Sequence, residues 1–148
     1  MAVGDNPKGF RPANPNARVG LYQEAASQSF ATGDLVYLNS GKVQIALAAT
    51  AELCGVAAEP ATGTTNALIK VYNDPAELFI GRTDAADALA IGGPADAIGA
   101  TGAMQIDANG GATAVFINVE ELDYDQADAI GKEYKVRIVK HAFADLSS

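Results

Sequence analysis

Apolar and polar positions alternate with a period of two along much of this chain, and turn-forming residues bound each alternating run. In 42–47, Val43, Ile45 and Leu47 share one face and Lys42, Gln44 and Ala46 the other, the pattern of a half-buried strand. Segment 34–38 before it is apolar and β-prone. Asn39-Ser40-Gly41 joins the two, and both Gly41 and Asn39 tolerate the positive φ of a short hairpin. In 53–58 (LCGVAA), Gly55 interrupts an apolar run, where a glycine marks a bulge or a close backbone approach.

The same reading extends to both ends. Val19, Leu21 and Tyr22 begin a first strand, and 61–66 (ATGTTN) is a polar loop. Segments 68–72 and 76–82 flank the compact turn Asn73-Asp74-Pro75. A short strand at 103–107 leads through Asn109-Gly110-Gly111 into 113–119, where Val115, Ile117 and Val119 share one face and Phe116 and Asn118 the other. In 134–139, Tyr134, Val136 and Ile138 oppose Lys135 and Arg137. The pattern predicts an all-β fold, a compact β-barrel or β-sandwich of about eight to ten short strands. One stretch departs from it: 85–91 (AADALAI) has helix-compatible composition, but Gly92-Gly93-Pro94 ends it early. It predicts one short helical turn followed by a loop.

Residues 1–20 differ from the rest. Pro7, Pro12 and Pro15 exclude a helix or a central strand, and Lys8, Arg11 and Arg18 against Asp5 reverse the sign of charge found elsewhere. The expected organisation is an extended N-terminal arm, 1–20, and a single β domain, 21–148. Such an arm has few apolar residues with which to offset its ordering entropy, so it is expected to lie on a neighbouring protein. Folding back on its own domain is the alternative. Phe10, Arg11, Arg18 and Val19 are its candidate partner-binding residues.

Composition narrows the function classes. A chain of 148 residues can bury the core of one domain, and 49 % apolar content with 7 % aromatics means much of that core is alanine and β-branched residues. A formal net charge of −8 argues against nucleic acid as a direct partner, because phosphate contacts need Lys and Arg. No membrane-length apolar run and no secretory signal stand out, so the product is expected to stay in the cytosol or join something assembled there.

Candidate chemistry is sparse. Cys54 is the only cysteine and reads as a buried small hydrophobe; as a nucleophile it would need a base, and the only histidine is His141. Glu120, Glu121, Asp123, Asp125 and Asp128 are the densest acidic cluster. Their spacing lacks the glycine and terminal glutamate of an EF-hand loop, so a solvated acidic loop is preferred to a calcium site. No P-loop, dinucleotide fingerprint, nucleophile elbow or zinc-protease motif occurs, so neither a catalytic residue nor a cofactor or metal is assigned. Lys132, Lys135, Arg137 and Lys140 concentrate positive charge, either to meet an acidic partner or, as is favoured, as solvent-facing charge that discourages strand pairing.

The order of these phrases resembles a known family. "GDLVYLNSGKVQIALAATAELCGVAAEP" is similar to the opening of the small all-β head-decoration (cement) proteins of tailed bacteriophages, with a GD-hydrophobic-V strand, a short turn, a V-x-x-A strand and a GVA strand. "ALIKVYNDPAELFIGR" and "TAVFINVEELDYDQADAIGKEYKVRIVK" are similar to its later strands, and the resemblance spans about residues 20–143. It implies a non-enzymatic structural protein on the exterior of the virion capsid, made in the host cytoplasm. The implied partners are the major capsid protein, whose neighbouring subunits it would strap together, and copies of itself in trimers or dimers. The long arm departs from the family's usual docking mode. Two other classes remain open: another virion or filament subunit (tail, fibre or self-polymerising β protein) assembling through its arm, and an enzyme or small-ligand module using Cys54, His141 and an acid.

Overall fold

The computed structural model describes residues 9–46, 52–84, 91–98, 104–107, 116–122, 133–139 and 141. Among them are eleven strands and no helix: β1 (Arg11–Pro12), β2 (Val19–Gln23), β3 (Leu35–Asn39), β4 (Lys42–Ile45), β5 (Gly55–Ala57), β6 (Leu68–Tyr72), β7 (Leu78–Arg82), β8 (Pro94–Ile98), β9 (Gln105–Asp107), β10 (Phe116–Glu121) and β11 (Glu133–Ile138). They form two antiparallel sheets, one of six strands in the order β1-β7-β11-β10-β8-β9 and one of five in the order β2-β6-β5-β3-β4. The all-β expectation holds; of barrel or sandwich, the described residues form two sheets and no closed barrel, with eleven strands where about eight to ten were expected.

Each sheet curls back on itself. Glu24, just past β2, meets Val43 of β4 in a parallel bridge, and Thr83, just past β7, meets Ile106 of β9 in another. Two cores result. The first lies between the sheets, with Leu35, Leu53 and Val56 against Phe79, Ile106, Phe116, Tyr134, Val136 and Ile138. The second lies inside the curl of the five-stranded sheet and holds Phe30, Val36, Val43, Cys54, Ala57, Ile69 and Val71. Alternation along β3 explains the pair: Leu35 enters the first core and Val36 the second.

Local chemistry positions these strands. The β3–β4 hairpin closes with Asn39 opposite Lys42, and its two central residues, Ser40 (φ 54°) and Gly41 (φ 80°), both take the left-handed conformation. That pair matches the twist of the flanking strands; the second left-handed residue is Ser40 rather than Asn39. Gly55 is the close approach its place in the apolar run predicts, since a Cβ there would overlap the carbonyl oxygen of Tyr72. Before β7, Asp74 caps its own turn, its Oδ1 accepting from the Ala76 N–H at 2.9 Å.

Two expectations change. In the described part of the expected arm, Arg11 and Pro12 pair with Ile80 and Phe79 of β7 in the same chain, which is the folded-back alternative; residues 1–8 lie outside the described residues. The loop expected after Gly92-Gly93-Pro94 is strand β8, in which Pro94 occupies the first position and Ala95 is fully buried. Residues 85–90, where the helical turn was expected, lie outside the described residues. Of the two faces read along 113–119, the inward one is that of Phe116 and Asn118, while Val119 is exposed. Val119 falls where the register with β11 shifts between Asn118 and Glu120, as at a bulge.

Candidate interaction surface

The outer face of β2 and β6 gathers three uncovered apolar side chains on two neighbouring strands. Register places Leu21 opposite Lys70 and Gln23 opposite Leu68, so these four share one face with Val19. Val19 (42 % exposed), Leu21 (58 %) and Leu68 (59 %) are among the most exposed large apolar side chains described. At the other end of the same face Tyr72, opposite Val19, is half-buried and packs on Phe79 at a ring separation of 6.4 Å. The six-stranded sheet therefore covers this face at Tyr72 and leaves it open toward Leu21 and Leu68. β2 is also an outermost strand, hydrogen-bonded within its sheet to β6 alone. Its sequence, VGLYQ, has none of the charges or prolines that blunt an edge.

Buried polar groups hold that edge in place. Glu24, fully buried at the end of β2, turns its carboxylate into the 61–66 loop. Oε2 accepts from the Thr62 N–H (3.0 Å) and hydroxyl (2.6 Å), and Oε1 from the Gly63 N–H (2.8 Å). On the inner side of β2, Tyr22 Oη accepts from Asn73 Nδ2 at 2.6 Å. Sequence reasoning missed Glu24; the cue was a small polar loop, Thr62-Gly63-Thr64, whose backbone donors need an acceptor.

The four residues singled out in 1–20 separate into two pairs. Phe10 is 3 % exposed and sits in the first core, its ring 5.2 Å from that of Phe116. Arg11 Nη2 lies 2.7 Å from Glu133 Oε2, which Arg82 also reaches at 3.2 Å. Phe10 is thus withdrawn from any surface, because an aromatic ring beside an open core gains more from burial than from solvent; Arg11 is engaged by its own domain. Arg18 and Val19 are both exposed; Val19 begins β2 on the open face, and Arg18 immediately precedes it.

The remaining candidates are placed as follows. Cys54 points into the second core, and burial pushes its thiol up to about 12, which keeps it protonated and poorly nucleophilic. His141 is buried beside Leu53, with which it forms a parallel bridge; desolvation lowers its pKa, partly opposed by the charge of Asp74. Leu53 belongs to the first core and Cys54 to the second, so the chain carries them to opposite sides at this point. Lys135 pairs with Glu120 at 3.2 Å and Arg137 is exposed; Lys132, Lys140, Asp123, Asp125 and Asp128 lie outside the described residues. Among the described residues no group of His, Cys, Asp and Glu is arranged to hold a metal ion.

Comparison with known proteins finds no family model that matches the chain, and no curated protein that matches it.

Proposed function

We propose that this chain is a virion structural protein that decorates the outside of a tailed-phage capsid and stabilises it by bridging neighbouring major capsid subunits. The order of its strand phrases supports this reading, and the observation that carries it is the uncovered face of β2 and β6, where Val19, Leu21 and Leu68 are exposed around Lys70, next to the uncharged edge strand β2. Exposed apolar edges of this kind are where another chain adds. The contacts we assign to the capsid are Arg18, Val19, Leu21 and Leu68; Phe10 and Arg11 serve the domain itself. Stabilisation follows from mass action: a ligand that binds only the assembled shell shifts the equilibrium toward it, and many weakly held copies add.

The test is co-sedimentation with expanded and unexpanded capsids. Wild-type protein saturates expanded shells, and the double variant Leu21→Glu, Leu68→Glu loses occupancy at least tenfold while staying folded. Undiminished occupancy of the folded variant overturns the assignment of this face, and absence of wild-type binding to any shell overturns the function. Deleting residues 1–18 is a poorer test, because it removes Phe10 from the core.

The same uncharged edge favours one other reading, a tail, fibre or filament subunit that polymerises strand to strand. Sedimentation of the isolated protein separates the two. Discrete dimers or trimers fit decoration, and open-ended polymers fit a filament.

A further inference from the structure

We infer that the place where residues 9–13 sit is a strand-accepting groove that the same segment of a second copy can occupy, so that chains of this protein exchange their N-terminal segments. The segment is held as an added peptide strand would be. Gly9 N–H donates to the Met104 carbonyl (2.9 Å), Phe10 N–H to Gly33 (2.8 Å) and Ala13 N–H to Leu78 (2.9 Å). Between them Arg11 and Pro12 pair with the edge of β7, and Arg11 reaches Glu133. Main-chain bonds along a sheet edge with one side chain in a pocket is the general mode of strand addition.

The pocket belongs to the body and not to the segment. Gly81 of β7 has no side chain where the Phe10 ring lies, and a Cβ there would overlap that ring. Phe116 supplies a further wall. The ligand class is therefore an extended peptide with an aromatic residue followed by arginine and proline.

Three features make the segment exchangeable. β1 is two residues long and outermost in its sheet, so its departure breaks no other pairing. β7 remains paired along its length to β11, from Arg82 opposite Glu133 to Leu78 opposite Arg137. Arg82 stays with Glu133 when Arg11 leaves, so the carboxylate is not left uncompensated. The connection to β2 runs through Asn14, Pro15 and Asn16, all exposed, in a turn closed on itself by the Asn16 N–H donating to Asn14 Oδ1 at 3.0 Å. Seated in a second copy, the segment re-forms the same main-chain bonds, ion pair and ring packing that it gives up in the first, which is the condition for exchange between identical chains. The exchange concerns the isolated chain and does not depend on the capsid reading.

Two experiments on the full chain test it. A labelled peptide of residues 6–14 is titrated against Phe10→Ala protein by fluorescence anisotropy. Saturable binding is expected, at least tenfold weaker to wild type, whose groove is filled, and at least tenfold weaker for a peptide with the phenylalanine replaced by alanine. No binding to folded Phe10→Ala protein, or equal binding of both peptides, overturns the inference. Independently of how that variant folds, Arg11→Cys chains are mixed with Ile80→Cys chains and oxidised. Exchange yields a covalent dimer of the two different chains above the level of a control mixture of Arg11→Cys with Lys70→Cys. A yield equal to the control overturns it.

Discussion

Glu24 is a carboxylate with no exposed surface, and its stability rests on three donors from two adjacent residues, Thr62 and Gly63. Hydrogen bonds to an ionised acceptor are stronger than neutral ones, and removing that acceptor leaves its donors to find others. Glu24→Ala is expected to cost roughly 2–3 kcal/mol, read as a lowered urea midpoint at unchanged slope. His141 makes a second residue-scale prediction, with the opposite sign to a paired histidine. Burial lowers its pKa from the ordinary 6.5, so the unfolded chain takes up the proton first. Its contribution is complete above about pH 6.5 and is lost as pH falls through the lowered folded value. The urea midpoint should therefore fall between pH 7.5 and 5.5, and His141→Gln should flatten that fall. An unchanged slope in the variant would show that other groups carry it.

At the scale of elements, edge strand β2 combines an inner side tied down by Tyr22 and Glu24 with an outer side on which Leu21 is mostly exposed and belongs to neither core. Leu21→Lys should accordingly change stability by no more than about 0.5 kcal/mol in chemical denaturation, as for surface sites away from buried features. How far the elements are legible follows from the same physics. β4 and β11 are readable from period-two alternation, and β3, β6 and β7 from apolar, β-prone runs bounded by turn residues. β1 and β8 are not, because each contains a proline, Pro12 or Pro94, which argues against a strand unless it sits at an edge or in first position. Such placements are decided by neighbours distant in sequence. Alternation in β10 correctly groups Phe116 with Asn118 but carries no information on which group faces inward. There the bulge at Val119 and the core beside Phe116 make the choice.

For the whole molecule, the division into two cores is invisible in the sequence, since it depends on the five-stranded sheet burying both faces along β3 and β5. The candidate site is half legible: Val19 lies on the open face with exposed Arg18 just before it, whereas the sequence marks Leu21 and Leu68 only as strand residues. Phe10 is seated in the first core of its own chain for a physical reason that its neighbours in sequence do not reveal. A proline-rich segment looks unable to order itself, and it is ordered here by a hole in β7 at Gly81, far along the chain. The pairing of β2 with β6 also has a mechanical consequence. Antiparallel bonds run perpendicular to their strands, so a tug along β2 loads all of its rungs from Val19–Tyr72 to Gln23–Leu68 together, whereas a sideways tug opens them singly. A tether fastened to β2 should be stiff lengthwise and weak crosswise, and single-molecule pulling from the two directions should give a markedly higher rupture force for the first.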